Sequence, residues 1–338
     1  MENKPLCSVV MSVYNGEEYL KESIDSILQQ SYVNFEFIII DDASTDSSLE
    51  IIQSYDEPRI ILIQNNKNLF LAASLNKGIR IAKGDYIVRM DADDVSMPER
   101  LMKQVSFMEL NPQVGISGTC SEIIGYGMGH GNYSQDDQTI KFKLLHECHL
   151  LHPTLIIRKE LIFDNDLFYN EEFRKNQDYE LFLRGIDITE YANLPDVLIE
   201  YRHTEENIKR ESYNQQENIF GIQKQIFLKI GVEITATELE LYKNINRQIY
   251  SDSMNIVDET YNLLTKMVKG NNRKLLFETK PFQDYLAQLF ENVCRNSTNS
   301  ALSTFRIYQK SKLRTNTIIK TKIILILFVK IIFRIFKK

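Results

Sequence analysis

The 338-residue chain reads as an α/β protein, a mainly parallel sheet flanked by helices and followed by a C-terminal helical appendage. Three observations predict this. From residue 6 to about 111, short β-branched or aromatic runs alternate with amphipathic stretches. The runs end in polar, often acidic turns, and beyond residue 205 strand signals give way to polar, helix-prone sequence. Strand and helix alternating at this spacing build a parallel sheet covered on both faces.

Residues 6–13 form the first strand, and 18–30 a helix whose apolar face carries Leu20, Ile24, Ile27 and Leu28. Strands at 35–40, 59–63 and 85–90 follow, separated by helices at 47–55 and 72–82, and a further helix starts near Pro98. Residues 112–200 are mixed. They hold a Gly-rich turn at 125–131, an apolar run at 155–157 and a helical stretch at 177–184, and should complete the sheet. The division expected is 1–205 for the α/β domain, 206–316 for the helical appendage and 317–338 for a basic tail. Within the first, about 5–111 and about 112–205 form two parts.

Bulk properties exclude a disordered chain: 43% of residues are hydrophobic and 25% charged. The four cysteines are widely spaced, with no CxxC pair, so neither a zinc site nor a disulfide framework is indicated. Residues 1–10 pass directly into a strand-like run with no secretory pattern, which points to the cytoplasm. The net charge of −6 is uneven, because residues 301–338 contain ten Lys or Arg and no acid. Nucleic acid is not among the expected partners.

In parallel sheets ligands bind beyond the carboxyl ends of the strands. The residues there are Tyr14-Asn15-Gly16, Asp41-Asp42-Ala43-Ser44 and Asp91-Ala92-Asp93-Asp94. Two carboxylates one residue apart at a strand end can hold a hard divalent cation against a diphosphate. A solvated acidic turn would look the same. Asp42 stands where it could accept hydrogen bonds from a base or ribose, whereas Ser44, Thr45 and Asp46 are explained as helix caps. Tyr14 could stack on a base.

The series Ser8-Val9-Val10-Met11-Ser12-Val13-Tyr14-Asn15-Gly16, Ile40-Asp41-Asp42-Ala43-Ser44-Thr45-Asp46, Gly84-Asp85-Tyr86 and Met90-Asp91-Ala92-Asp93-Asp94 resembles family 2 glycosyltransferases of the GT-A fold. Order, spacing and strand context agree over about residues 5–205. The resemblance implies an inverting enzyme that moves a hexose-type sugar from a nucleotide donor, usually UDP-linked, to a carbohydrate or lipid-linked acceptor. A surface polysaccharide or glycolipid pathway would suit it. Val13 and Tyr14 should contact the base, and Asp42 the base or ribose. Asp91 and Asp93 match the DxD motif, in which Asp93 holds Mg or Mn on the diphosphate. Asn176-Gln177-Asp178-Tyr179-Glu180 matches a later acidic motif and makes Asp178 the catalytic base. Asn176 as a helix N-cap, with Asp178 in the first turn for its dipole, is the structural alternative. His152 and His203 also fall near family features, although Arg202 and His203 are adjacent where relatives often have one residue between. At Phe70 relatives commonly carry Gly, which bears on the donor pocket.

In the tail the longest uncharged run, 323–329, is too short to span a bilayer. On a helical wheel Lys320, Lys330, Arg334, Lys337 and Lys338 share one side, with Lys322 at its margin. This predicts an interfacial helix on anionic lipid, at the inner face of the cell membrane; a helix docked on the protein's own core is the alternative. Two other readings compete for the whole chain. A nucleotidyltransferase would need a Gly-rich basic loop after the first strand, where Tyr14-Asn15-Gly16-Glu17-Glu18 is acidic. A non-catalytic sugar-nucleotide-binding membrane scaffold would have lost Asp178 or the DxD acids, and both are present.

Overall fold

The computed structural model describes residues 4–126, 128–203, 216–250, 255–296, 301–311 and 313. Strand β1 (Cys7–Val13) is covered on both faces and lies between two parallel partners, β2 (Phe35–Asp41) and β4 (Tyr86–Met90). β3 (Ile60–Gln64) extends the parallel set beyond β2. The connections run through helices α1 (Leu20–Leu28), α2 (Ser48–Gln53) and α3 (Leu71–Ile81), close to the positions expected from periodicity.

The strand order is β3-β2-β1-β4-β8-β6-β9-β5, with β7 (Gly129–Gly131) folded back on β6. Beyond β4 the sheet becomes mixed. β8 (Ile156–Arg158) runs antiparallel to β4 and to β6 (Val114–Gly125), while β6 and β9 (Glu190–His203) are parallel. The chain leaves β1 towards β2 and returns on its other side as β4, so the carboxyl ends of β1 and β4 flank a switch point where such sheets open a crevice. β5 (Val95–Ser96) pairs with β9 and thereby ties the segment after the acidic run to the far edge.

Packing explains two glycines. A Cβ on Gly78 would lie 2.7 Å from Val10 Cγ1 and 2.8 Å from Ile40 Cδ1, so α3 rests directly on the sheet. At Gly84 a Cβ would meet the Ser8 nitrogen at 2.6 Å, where the turn into β4 crosses the start of β1. Helix α4 (Arg100–Leu110) buries Arg100 completely, and its Nη2 donates to the carbonyls of Arg89 (2.7 Å) and Pro153 (2.8 Å). Burial pushes the Arg100 pKa down to about 9. Helices α5 (Asp137–Lys143), α6 (Lys159–Asp164) and α7 (Gln177–Gly185) complete this half.

The chain divides into two compact units, Met1–Ile219 and Phe220–Lys338. In the second, α8 (Gln216–Ile230) continues into α9 (Ala236–Asn246), α10 (Ile256–Lys274), α11 (Thr279–Asn296) and α12 (Ala301–Lys310). Phe227, Tyr242, Leu264, Phe282 and Phe290 are buried there, and a Thr235/Glu238 capping box starts α9. The appendage is helical in its described part. No described helix is long and apolar enough to cross a membrane, and the tail at 317–338 lies outside the described residues.

Candidate active site

The turns after β1 and β2 are joined side by side. Asn15 adopts a positive φ of 52°, donates its N–H to Ser44 Oγ (3.1 Å) and accepts from the Thr45 N–H (2.8 Å). Gly16 donates to Ser48 Oγ, Glu17 to Asp46 Oδ2, and Ser47 back to Glu17 Oε2. Asp46 also accepts from the Ser48 N–H at the start of α2, so the acids here have structural work. Tyr14 stands 52% exposed beside them.

Two residues expected at this edge are buried. The Val13 side chain is fully buried in the sheet core, so only its backbone is left to meet a ligand. Asp42 does not stand open: it is 1% exposed, with Oδ1 accepting from Asn65 Nδ2 (2.7 Å) and the Leu69 N–H (2.8 Å), and Oδ2 from the Phe70 N–H (2.8 Å). The loop at 65–70 folds down onto the strand end because three donors converge on one carboxylate. In this structure Asp42 shapes that loop.

The acidic run behaves differently. Asp91 and Asp93 are half-buried and Asp94 is buried, and each offers an oxygen within 4.8 Å of the others. Burial, reinforced by the charges of Asp91 and Asp93, holds the Asp94 carboxyl well above the usual carboxylate range. Its Oδ1 accepts the Arg202 N–H (2.8 Å), while its Oδ2 has no hydrogen-bond partner among the described residues. A crowded, buried anion with an idle oxygen is the arrangement that a cation relieves. The donors are all oxygen, which suits Mg or Mn.

Two arginines brace this turn. Arg89, buried in β4, reaches forward to the Met90 carbonyl and to Asp91 Oδ1. Arg202, near the end of β9, donates through Nε to the Asp93 carbonyl (2.8 Å) and through Nη2 to Glu22 (2.7 Å), with its guanidinium 4.3 Å from the Tyr19 ring centre.

Asp178 enters from α7. Burial raises its pKa, the backbone N–H groups of Tyr179 and of Asp178 itself and the positive charge of Arg89 oppose the rise, and the charge of Asp91 adds to it. The expected base therefore shares an electrostatic field with the expected DxD acid, although they are 87 positions apart. Asn176 occupies the N-cap position of α7, as in the structural alternative, but it lies in the left-handed region (φ 58°) and its side chain makes no cap bond. His152 is buried, with Nε2 2.9 Å from the Tyr169 hydroxyl, and burial and Arg89 hold its pKa well below the usual value. Neutral at physiological pH, it supports the chain leading to α7. His203 packs edge-on against Tyr201 at 5.1 Å.

Sequence reasoning missed Asp94, Arg89 and the bracing role of Arg202. One signal was present, a lone arginine inside the otherwise apolar run Tyr86-Ile87-Val88-Arg89-Met90.

Comparison with known proteins finds relatives in one enzyme family. The model "Glycosyl transferase family 2" matches residues 8–172. An uncharacterized glycosyltransferase of Haemophilus influenzae is 32% identical over 266 residues, covering 72% of this chain and 82% of that protein. The putative glycosyltransferase EpsE of Bacillus subtilis is 52% identical over 122 residues, 35% of this chain, and the match spans only 44% of EpsE. WfaP of Escherichia coli, a UDP-Glc:alpha-D-GlcNAc-diphosphoundecaprenol beta-1,3-glucosyltransferase, is 38% identical over 104 residues, 31% of this chain and 41% of WfaP. Among solved structures, Staphylococcus aureus TarS 1–349 in complex with UDP-GlcNAc superposes with a TM-score of 0.59 at 18% identity, covering 85% of this chain and 89% of that one, which is a likeness of fold.

Proposed function

Because the chain belongs to glycosyl transferase family 2 and is a glycosyltransferase, we propose that it is the inverting, metal-dependent kind. It would move a hexose-type sugar from a UDP-linked donor to a carbohydrate or lipid-linked acceptor in polysaccharide or glycolipid synthesis. The observation that carries this is the carboxylate cluster at the end of β4, with Asp178 brought within its field. The acceptor and donor classes lean on WfaP, whose name joins a UDP-sugar to a diphosphoundecaprenol-linked one, and on TarS, whose fold is shared and which binds UDP-GlcNAc.

In this reading Tyr14 and the backbone at Val13 face the base. Asp91 and Asp93, with Asp94 behind them, would hold the cation, which when bound neutralises charge on the departing diphosphate. Asp178 takes the proton of the acceptor hydroxyl as that oxygen attacks the anomeric carbon and the bond to the nucleoside diphosphate breaks. Its raised pKa makes it a stronger base for that proton, and the positive charge of Arg89 favours its ionised form. Arg202 keeps the acidic turn in place from the β9 side.

A thermal-shift panel of nucleotide sugars with and without manganese tests the proposal, since a ligand that binds only the native state raises its stability. Manganese-dependent stabilisation by one UDP-sugar is expected. Equal shifts with all nucleotides, or none with any, would count against it.

The basic tail extends the proposal to an inner-membrane surface. Each Lys or Arg close to anionic lipid contributes ~1 kcal/mol. Removing residues 317–338 should abolish flotation with anionic vesicles and leave nucleotide binding intact. Equal flotation of both forms would return the tail to the docked-helix alternative.

A further inference from the structure

Phe70 opens α3 with φ 71° and ψ 167°, a combination essentially reserved for glycine. Its backbone is held there from two sides, since its N–H is shared between Asp42 Oδ2 (2.8 Å) and Asn68 Oδ1 (2.9 Å). The ring is not tucked into the core: it is 49% exposed, and the guanidinium of Arg174 lies over it, 3.2 Å from the ring centre. A large side chain in a glycine-only conformation, half in solvent, gains too little from packing to explain its presence. Strain that stability does not explain points to function.

The two partners come from opposite sides of the candidate site. Phe70 hangs from the Asp42 carboxylate at the end of β2, on the nucleotide side. Arg174 precedes Asp178 by four positions, on the segment that delivers the base. That segment is fixed to α3 independently, because Asn76 Nδ2 donates to the Tyr169 carbonyl (2.8 Å) and Asn76 Oδ1 accepts the Tyr169 N–H (3.0 Å). The stack is therefore a bridge between two anchored loops. An aromatic face offers an apolar surface to the C–H groups of a pyranose. A guanidinium lying flat on a ring keeps its N–H edge pointing outward, towards acceptor oxygens.

We propose that Phe70, with Arg174 stacked on it, is the specificity-determining pair for the donor sugar. The ring forms the apolar wall beside the transferred hexose, and the Arg174 N–H edge reads the oxygens at its rim. This rests on the glycosyltransferase reading above and names which part of the site selects the sugar. Phe70 positions Arg174, so the two act as one unit.

The test measures kcat/KM for a set of UDP-hexoses with wild-type enzyme and with Phe70→Gly, Phe70→Tyr, Arg174→Ala and the Phe70→Gly/Arg174→Ala double variant. Melting temperatures are recorded in parallel. Phe70→Gly relieves the backbone, so it should melt no lower than wild type, yet its preference for the best sugar over the next should fall by about tenfold or more. Arg174→Ala should lose a similar factor, the double variant should lose no more than either single change, and Phe70→Tyr should keep the preference. Unchanged sugar preference in Phe70→Gly and Arg174→Ala overturns the inference while leaving the enzyme assignment standing. A wild-type enzyme that uses no nucleotide sugar overturns both.

Discussion

The backbone N–H of Arg202 donates to Asp94 Oδ1 at 2.8 Å, across 108 positions of sequence. This bond, with the Nε contact to the Asp93 carbonyl, fastens the acidic turn after β4 to the far strand of the sheet. The turn's geometry therefore depends on a residue that shares no local sequence with it.

Replacing Arg202 with Met keeps the backbone bond and removes the two side-chain bonds, one of them to Glu22. Hydrogen bonds from a charged group are worth about 1.5–3 kcal/mol. The bond to the exposed Glu22 adds little, so chain stability should fall by about the worth of one such bond in urea denaturation, and the manganese concentration for half-maximal transfer should rise. A variant with wild-type metal response would show that Arg202 braces the fold alone.

Asp93→Ala should remove metal-supported donor binding and turnover while far-ultraviolet circular dichroism stays native, because the residue sits in a polar turn outside the core. Transfer at the wild-type rate, or full wild-type activity in excess EDTA, would contradict the assignment.

Asp178→Asn should lower transfer by ~10²–10⁴-fold, the usual worth of a positioned general base, with nucleotide affinity nearly unchanged. The active form is the carboxylate, so the wild-type rate should be lost as pH falls through the folded-state pKa. Burial raises that pKa above the ordinary 3.8, which moves the acidic limb of the kcat/KM profile upward from there. A limb at the ordinary position, or normal transfer by the variant, leaves Asp178 a helix-terminus residue.

Asp94 carries a proton in the metal-free fold at pH values where the unfolded chain has lost it, because its folded pKa is raised. The native state then binds more protons than the unfolded one, so metal-free stability should decline as pH rises from the ordinary Asp value through the raised one. A cation should stabilise more at the upper end of that window, since binding favours the ionised carboxylate. Calorimetric melting at several pH values, with EDTA or with manganese, gives the two curves; parallel curves would exclude Asp94 from the site.

Asp42→Ala should cost about 1–3 kcal/mol, the penalty for leaving buried donors unmade, since Asn65, Leu69 and Phe70 lose their common acceptor. Nucleotide affinity should weaken as well, through the loosened loop. A variant as stable as wild type by urea denaturation would mean that the loop is held by other contacts.

Much of the first half of the fold was legible in local pattern. β1, β2 and β4 are mostly apolar, interrupted only by Ser8 and Ser12, Glu36 and Arg89, because parallel strands are covered on both faces, and polar turns follow their ends. The run Asp91-Ala92-Asp93 and the first-turn Asp178 could be picked out one at a time, since a strand end and a helix start each have a local signature. The mixed pairing beyond β4 was less legible, because β8 is three residues long and β5 two, too short to set a period.

The sequence by itself determined the strand and helix succession, the helical character of the appendage and the residue types available at each strand end, all of which follow from periodicities a few residues long. Tertiary structure alone decided how those residues are used. It closed Asp42 under a loop, sent the Val13 side chain into the core, made Asp94 the buried member of the acidic cluster and laid Arg174 over Phe70. The reason is that a side chain's protonation and partners depend on burial and on charges brought near by chain closure, and Arg89, Asp91 and Asp178 meet only when strand β4 and helix α7 occupy the same end of the fold.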